Sequence, residues 1–404
     1  MAADKISLDR IEHGILDLLP TLYDEDAVFP YRLQANLGGS LYGTCFACFI
    51  AHLFNKSHVL NGREKIIAAL ISLPVSKEGL IDTSECRDIG LSNSNGHTPL
   101  YVQLQTTTFV RAALRALGTQ PLGNVRWALR IAEKPGIKKW LYNLPWINPW
   151  LASNLDMFLG IFLLELQSSF GADSLACSAL EQYFCWHNEM QDSKTGFWGS
   201  QIDIHNAMAG AYHIVLHYDY ANRTLKHIEE MIDSILCLPW RDGLFVHGGG
   251  GGSCEDLDAI DLMIRLSLVS KHRAEQVRTT VLQACNRIAN GQNSDGGFGW
   301  RIMPKPSQIL SAIFHGRFGL ARMIATSLIF GLMHRSHLSS IHYYSSCQSY
   351  PYRINKSDLW SCWFRPLALA LAAQRYPEAF YGGGTWSLPD WPGLGYNPFR
   401  RSDL

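Results

Sequence analysis

A short turn motif recurs along this chain, and its spacing constrains the fold more than any other feature. Each copy places a glycine before apolar or aromatic residues, in the segments Lys77–Ile81, Lys194–Gly199, Arg241–Phe245 and Ser294–Gly299. Glycine suits the left-handed position of a tight turn, and the apolar side chains can anchor the turn against a pair of helices. The last three copies lie about fifty residues apart, which fits one helix–turn–helix unit plus its loops.

Two kinds of helical segment alternate with these turns. Six segments are apolar on nearly all sides, as buried helices are: Gly38–Leu53, Tyr101–Leu117, Trp150–Leu166, Ile204–Tyr218, Cys254–Ser270 and Leu359–Ala373. Five segments are amphipathic: Arg63–Ile71, Leu122–Ala132, Ser174–Glu189, Leu225–Leu238 and Ala274–Asn290. An inner ring alternating with an outer ring explains both kinds, so we predict an all-α fold, a single (α/α)6 toroid. An open solenoid is the alternative.

We expect residues 1–404 to form one domain with an insertion at about 301–352, because the repeat is interrupted there. The interruption opens with Arg301 and the helix-breaking run Met303–Pro306. Basic residues such as Arg317 then alternate with apolar ones, which predicts an amphipathic helix. It could cover the mouth of a cavity, contact a membrane surface or pack on the outside of the toroid.

The charge balance argues against a polyanionic partner. Lys plus Arg and Asp plus Glu both number 35, so we expect no nucleic-acid partner and a small-molecule ligand instead. The segment Met1–Leu19 lacks the order of a signal peptide, and the ten cysteines show no disulfide-rich spacing. We therefore expect a cytoplasmic protein, with peripheral membrane contact through the insertion as the variant of that expectation.

The segment Gly248–Asp261 carries the strongest chemical signal. Five glycines precede a helix on which Cys254, Asp258, Asp261 and Arg265 share one stripe. If that stripe lines a cavity, burial raises the pKa of a carboxyl group, and the acid can keep its proton and donate it. Asp258 is the best candidate for that acid. The alternative is an acidic cluster at a helix start, with an Asp261–Arg265 ion pair.

Three segments resemble the terpenoid cyclase and protein prenyltransferase superfamily. Gln191–Gly199 and Gln292–Gly299 are similar to its Gln…Gly-aromatic repeats, and Glu255–Ile260 resembles the Asp-X-Asp-Asp motif of class II terpene cyclases. The resemblance implies a toroid fold, with Asp258 as the central acid that protonates an alkene or epoxide and Asp256 as the motif's first aspartate. Ala259 replaces the motif's last aspartate.

The resemblance also bears on cofactors. The prenyltransferase branch binds zinc through Asp, Cys and His, but its Asp-X-Cys order is absent here. We therefore expect no metal and no cofactor, except Mg²⁺ if the substrate carries a diphosphate, which Arg317 could then help to bind.

Further polar and aromatic residues are predicted to reach the same cavity. Asn206 and His213 lie on one stripe of an inner helix, and tryptophan faces can stabilise a cation or stack on a sugar. The predicted substrate-binding residues are Asn154, Asp156, His205, Asn206, His213, Cys254, Trp198, Trp300, Trp360, Trp363 and Arg317. The predicted catalytic residues are Asp258, Asp256 and Asp261.

Three functions are consistent with the sequence. The first is a terpenoid cyclase-like isomerase or lyase, in which Asp258 starts the cyclisation or rearrangement of an apolar isoprenoid-type substrate. The second is a carbohydrate-active α/α-barrel hydrolase or lyase, with Asp258 as acid, Asp156 or Asp203 as second carboxylate and His205 or His213 as base. The third is a non-catalytic binding or scaffold toroid, because a fold by itself does not fix a function.

Overall fold

The computed structural model describes residues 5–83, 86, 97–171, 174–199, 203–246, 249–302, 342–343, 350–351, 356–384 and 386–401. Within these ranges the α-helices are α1 (Leu8–Leu18), α2 (Leu41–Leu53), α3 (Arg63–Ile71), α4 (Pro99–Ala116), α5 (Trp127–Glu133), α6 (Ile137–Tyr142), α7 (Pro149–Phe170), α8 (Leu175–Met190), α9 (Ile204–Tyr220), α10 (Ile228–Leu236), α11 (Ser253–Val269), α12 (Ala274–Ala289) and α13 (Leu359–Arg375). The strands are β1 (Ile6–Ser7), β2 (His342–Tyr343), β3 (Tyr350–Pro351) and β4 (Phe380–Tyr381). Short 3-10 helices span Leu19–Leu22, Ser57–Val59, Pro377–Ala379 and Pro398–Arg401.

Six of the helices form a closed inner ring. Along the chain, α2, α4, α7, α9, α11 and α13 each pack on the next, and α13 returns to pack on α2. A solenoid would leave α2 and α13 apart, so this last contact confirms the predicted toroid. The helices α1, α3, α5 with α6, α8, α10 and α12 alternate with the inner helices along the chain, which gives six helical pairs.

Backbone pairing between distant segments holds the ring closed. β1 near the start of the chain pairs in parallel with β4 after the last inner helix. The Leu359 N–H at the start of α13 donates to the Leu33 carbonyl at 2.9 Å, just before α2. Because these bonds join the first and last units, closure does not depend on side-chain packing alone.

Two of the four repeated turns, Lys194–Gly199 and Ser294–Gly299, share a hydrogen bond from a glutamine side chain. Gln191 Nε2 donates to the Gly196 carbonyl at 2.8 Å, and Gln292 Nε2 donates to the Gly296 carbonyl at 2.7 Å. Both glycines have positive φ, 74° and 87°, and an added Cβ at Gly296 would lie 2.2 Å from the Gly14 carbonyl oxygen. Each turn therefore needs both its glutamine and its glycine, which explains the Gln…Gly spacing in the sequence.

Most inner helices begin at a side-chain cap. Ser40, Thr98, Asn148, Asp203 and Asp358 each accept a hydrogen bond from a backbone N–H three residues later. Such caps satisfy N–H groups that the helix itself leaves unpaired. The exception is α11, which starts after Gly252 without a side-chain cap and carries Glu255 and Asp256 in its first turn.

One sequence-based expectation differs from the structure, and one is not tested by it. The five amphipathic segments recognised in the sequence did not include the sixth outer helix, α1. The amphipathic helix predicted within 301–352 falls mainly on residues that lie outside the described ranges; within that stretch the structure describes residues 301–302 and the antiparallel β2–β3 pair. The longest inner helix, α7, is apolar and long enough to cross a bilayer, but 78% of its most apolar window is buried in the ring.

The α7–α9 contact depends on a glycine. An added Cβ at Gly160 would lie 2.3 Å from the His217 ring, so the two helices approach closely only because Gly160 has no side chain. His217 is fully buried, and its Nδ1 lies 2.7 Å from the Tyr183 hydroxyl.

We predict that Gly160→Ala lowers the free energy of unfolding by about 1–2 kcal/mol, because overpacking outweighs the helix propensity that alanine gains. Urea unfolding followed by circular dichroism measures the change. Gly38→Ala is the control, since no atom lies within 4 Å of its added Cβ. In a His217→Ala background the Gly160→Ala substitution should stabilise the protein; destabilisation there would contradict the packing explanation.

Candidate active site

A narrow space lies within the inner ring, where several inner helices contribute residues from their first or middle turns. We call this space the upper chamber. It is lined by Tyr101, Gln105, Phe109, Trp150, Asn154, Met157, Phe158, His213, Cys254, Asp258, Trp360, Phe364 and Leu394. Its volume is about 20 Å³, which is room for about one water molecule. A larger ligand therefore enters only if side chains or the chain segment around Leu394 move.

Asp258 is an unpaired acid in the wall of the upper chamber. Its side chain is 1% exposed, and neither carboxyl oxygen has a hydrogen-bond partner among the described residues. Burial raises the pKa of Asp258 well above its usual value, and the negative charges of Glu255, Asp261 and Asp256 add to that rise. The raised pKa favours the protonated form, which can offer an O–H to a ligand in the chamber.

Asp256 does not line the chamber. Its Oδ2 receives a hydrogen bond from Arg365 Nη1 at 3.0 Å, and its Oδ1 receives one from the Phe245 N–H at 2.9 Å. Burial raises the pKa of Asp256 to about 6, against the opposing effect of Arg365. Arg365 also donates to the Trp300 carbonyl at 2.6 Å, so the ion pair fastens two turns to α13. These contacts give Asp256 a structural environment, whereas the sequence placed it among the catalytic residues.

Asp261 is also held by an arginine outside the chamber lining. Arg265 Nη2 donates to Asp261 Oδ2 at 3.0 Å, and Arg265 Nη1 donates to Asp219 Oδ2 at 2.7 Å. Arg265 also donates to the Tyr396 carbonyl. The Asp261–Arg265 pair, which the sequence offered as the alternative to catalysis, is therefore present. Of the predicted acidic stripe, only Cys254 and Asp258 reach the chamber.

Asn154 and His213 also reach the chamber. Asn154 Nδ2 donates to the Trp150 carbonyl at 2.8 Å, which fixes the amide. His213 Nδ1 lies 3.0 Å from the Ser153 hydroxyl, and burial lowers the pKa of His213 to about 3. The imidazole is therefore neutral at physiological pH and can accept a proton only from a strong acid such as a carbocation.

The four predicted tryptophans lie in different places. Trp360 lines the upper chamber, but Trp363 lines a second space together with residues near the C-terminal ends of α2 and α4. Trp198 donates to the His187 carbonyl, and Trp300 packs 6.3 Å from Trp360 between ring centroids.

Asp156, His205 and Asn206 also lie outside the chamber lining. Asp156 Oδ2 lies 2.7 Å from His187 Nε2, in a buried pair. His205 and Asn206 are in the first turn of α9, where Asn206 bonds to Asp203. Arg317 is outside the described residues.

Several residues that line the chamber were not predicted from the sequence. Tyr101 is fully buried beside His97, its ring stacked 4.2 Å from that imidazole, and its hydroxyl has no hydrogen-bond partner among the described residues. Its position three residues after the Thr98 cap could have indicated the first inward turn of α4. Leu394 comes from a loop after the last helix, where no periodic pattern marks it.

Nothing in the described part of the chain groups three or more His, Cys, Asp or Glu side chains as a metal site would require. No coordination chemistry is therefore included in the candidate site.

Comparisons with known proteins give one distant structural similarity. No family model matches the chain, and no curated protein matches it. Among solved structures, the GH76A α-1,6-mannanase from Salegentibacter sp. HEL1_6 matches with a TM-score of 0.42 and 12% identity, over 74% of this chain and 93% of that one. At this TM-score the similarity says nothing about activity or substrate. The resemblance to terpenoid cyclases finds no support in these comparisons.

We predict that Arg365→Met lowers the free energy of unfolding by about 3–5 kcal/mol, because it leaves the Asp256 carboxylate buried without its partner. Chemical denaturation measures the loss. The matched control is Arg400→Met, which breaks the exposed Arg400–Asp390 pair and should cost at most about 1 kcal/mol. Equal costs for both variants would contradict the role given to the buried pair.

A second prediction concerns Asp258 and pH. Its pKa is raised in the folded state, so the folded protein binds this proton more tightly than the unfolded chain does. The resulting stability is present below about pH 4 and is lost as pH rises through the folded pKa. Asp258→Asn removes this loss, so its stability relative to wild type should rise with pH, by at most about 1.4 kcal/mol per unit.

Denaturant titrations at several pH values measure that difference. Asp24→Asn is the control of opposite sign, because the hydrogen bond from Arg32 lowers the pKa of Asp24. A difference between Asp258→Asn and wild type that stays constant with pH would show that Asp258 is not held protonated.

Proposed function

We propose that this toroid is an enzyme of the terpenoid cyclase type, in which Asp258 protonates a carbon–carbon double bond of an apolar, isoprenoid-type substrate. The observation that carries the proposal is the unpaired, buried carboxyl group of Asp258 in an aromatic chamber. An alkene is a very weak base. Its protonation therefore needs an acid that is shielded from water and that stays protonated until the substrate arrives.

The walls of the chamber suit the cation that protonation creates. Aromatic ring faces attract positive charge, and the lining offers six such rings, from Tyr101, Phe109, Trp150, Phe158, Trp360 and Phe364. Loss of a proton from a carbon next to the cation then gives a rearranged or cyclised alkene. His213, held neutral by burial, is the group in the lining that can accept this proton.

The carbohydrate alternative lacks one of its parts in the described structure. Glycoside hydrolysis usually needs two carboxyl groups facing the same bond. Among the described residues that line the chamber, Asp258 is the only carboxyl group. Asp156 pairs with His187, and Asp203 caps α9. The geometry therefore favours protonation of an apolar substrate over sugar chemistry.

We predict that the purified protein incorporates one deuterium from D₂O into an isoprenoid product, and that Asp258→Asn lowers the rate at least about 100-fold. The panel contains farnesol, geranylgeraniol, squalene and farnesyl diphosphate with and without Mg²⁺, and products are identified by mass spectrometry. Asp233→Asn, an exposed substitution on α10 outside the chamber lining, is the control and should keep full activity.

Unchanged turnover in Asp258→Asn would remove Asp258 from the acid role. An α-1,6-mannan oligosaccharide is included because the structurally similar protein is a mannanase by name. Its cleavage, with no reaction of the isoprenoids, would support the carbohydrate alternative. Tight binding of a panel member without turnover would instead identify a binding protein.

A further inference from the structure

Two more spaces lie near the C-terminal ends of α2 and α4, and we call them the lower chamber and the tail groove. The lower chamber, of about 30 Å³, is lined mainly by apolar residues that include Phe49, Phe162, Trp363 and Trp391. The tail groove, of about 980 Å³, is open and lies against the C-terminal tail, residues 386–401. Asn55, Gln120, Gln374, Asn397 and Arg400 are among its polar walls.

Each space shares lining residues with the next one. Phe109 and Leu394 line both the upper and the lower chamber. His52, Arg115 and Trp391 line both the lower chamber and the tail groove. The spaces therefore follow one another, from the open groove to Asp258, with Phe109 and Leu394 standing between the two chambers.

The chemistry of the walls changes along this series. The groove is rich in amides and charged groups. The lower chamber is mainly apolar, with Glu165 and its two paired arginines, Arg111 and Arg115, in its wall, and the upper chamber is aromatic with one buried carboxyl group. On α4, Gln105 lines the upper chamber and Arg115 lines both the lower chamber and the groove. At 1.5 Å per helical residue, these levels are about 15 Å apart. A ligand that matches this series is elongated, with one polar end and one apolar end.

Leu394 is placed between the chambers by its two glycine neighbours. Gly393 and Gly395 both have positive φ, 138° and 74°, and an added Cβ at Gly395 would lie 2.6 Å from Leu367. The Gly395 N–H donates to the Tyr212 hydroxyl at 3.2 Å, and the next residue, Tyr396, accepts from Arg265. The Gly-Leu-Gly segment thus presents one apolar side chain to the interior while its backbone is tied to α9 and α11.

We propose that the two chambers and the tail groove form one binding site for an elongated amphiphile, and that Leu394 determines how much of its apolar chain reaches Asp258. The polar end stays in the tail groove and the apolar end extends along the ring. This inference rests on the proposed function, since it names the shape of the substrate for the same acid. Movement of Leu394 and of Phe109 joins two spaces that are each too small for such a ligand.

Binding of linear isoprenoid alcohols tests this inference without requiring catalysis. Geraniol, farnesol and geranylgeraniol are titrated against the full chain by isothermal calorimetry and by native mass spectrometry. Leu394→Trp fills the junction and should weaken binding of the two longer alcohols at least tenfold, with little effect on geraniol. Leu394→Ala opens the junction and should strengthen binding of geranylgeraniol at least threefold. Leu262→Ala, a buried leucine of α11 outside both linings, should leave all affinities unchanged.

Two results would overturn the proposed binding site. Wild-type protein that binds none of the alcohols, or Leu394 variants that bind all three as wild type does, would overturn the elongated site. If Leu394→Trp fails to fold, Leu394→Ala alone decides, because shortening a half-buried leucine keeps the backbone of the tail. The two proposals fail separately: the expected Leu394 pattern together with full turnover in Asp258→Asn would leave the binding site standing and remove the acid.

Discussion

The buried ion pair between Arg365 and Asp256 is the interaction on which the geometry of the candidate site depends. It joins α13 to α11 inside the ring, where both side chains are fully buried. Successive residues of a helix are rotated by about 100°, so two residues apart means nearly opposite faces. Because Asp256 points to Arg365, Asp258 is turned away from that arginine and toward the upper chamber. The pairing of the first aspartate thus determines the isolation of the second.

Three aspartates on one helix have different electrostatic environments for this reason. Asp256 and Asp261 each have an arginine that compensates for burial, whereas Asp258 has none. A buried carboxylate without a partner would cost far more than a neutral carboxylic acid, so protonation is the state that the fold tolerates. An unsatisfied buried polar group still costs stability, and natural proteins keep such groups mainly at functional sites. This is the physical reason for proposing that Asp258 is a functional residue.

The sequence predicted the ring and the helix that carries the three aspartates, but not the partner of Asp256. Apolar helices and Gln…Gly turns are local signals, and the toroid was predicted from their spacing along the chain. The Asp261–Arg265 pair was also visible, because its members lie one helical turn apart. Arg365, in contrast, is 109 residues from Asp256, and no local pattern links them. Trp198 was predicted in the cavity from its type alone, yet its indole N–H bonds to the His187 carbonyl. Leu394 could not be predicted either, because a loop residue has no periodicity that shows which way it faces.

The third aspartate connects the acid to the wall that isolates it. Asp261 and Asp219 neutralise Arg265, and Arg265 in turn holds the C-terminal tail through the Tyr396 carbonyl. Two residues before Tyr396, Leu394 completes the lining around Asp258. Successive turns of α11 therefore carry the acid and fasten the segment that helps to bury it. Burial is the largest cause of the raised pKa of Asp258, so the acidity of the site depends in part on the attachment of the tail. The segment Glu255–Ile260 is then best understood together with Asp261 and Arg265, as part of one helix on which Asp256 and Asp261 each pair with an arginine and Asp258 does not.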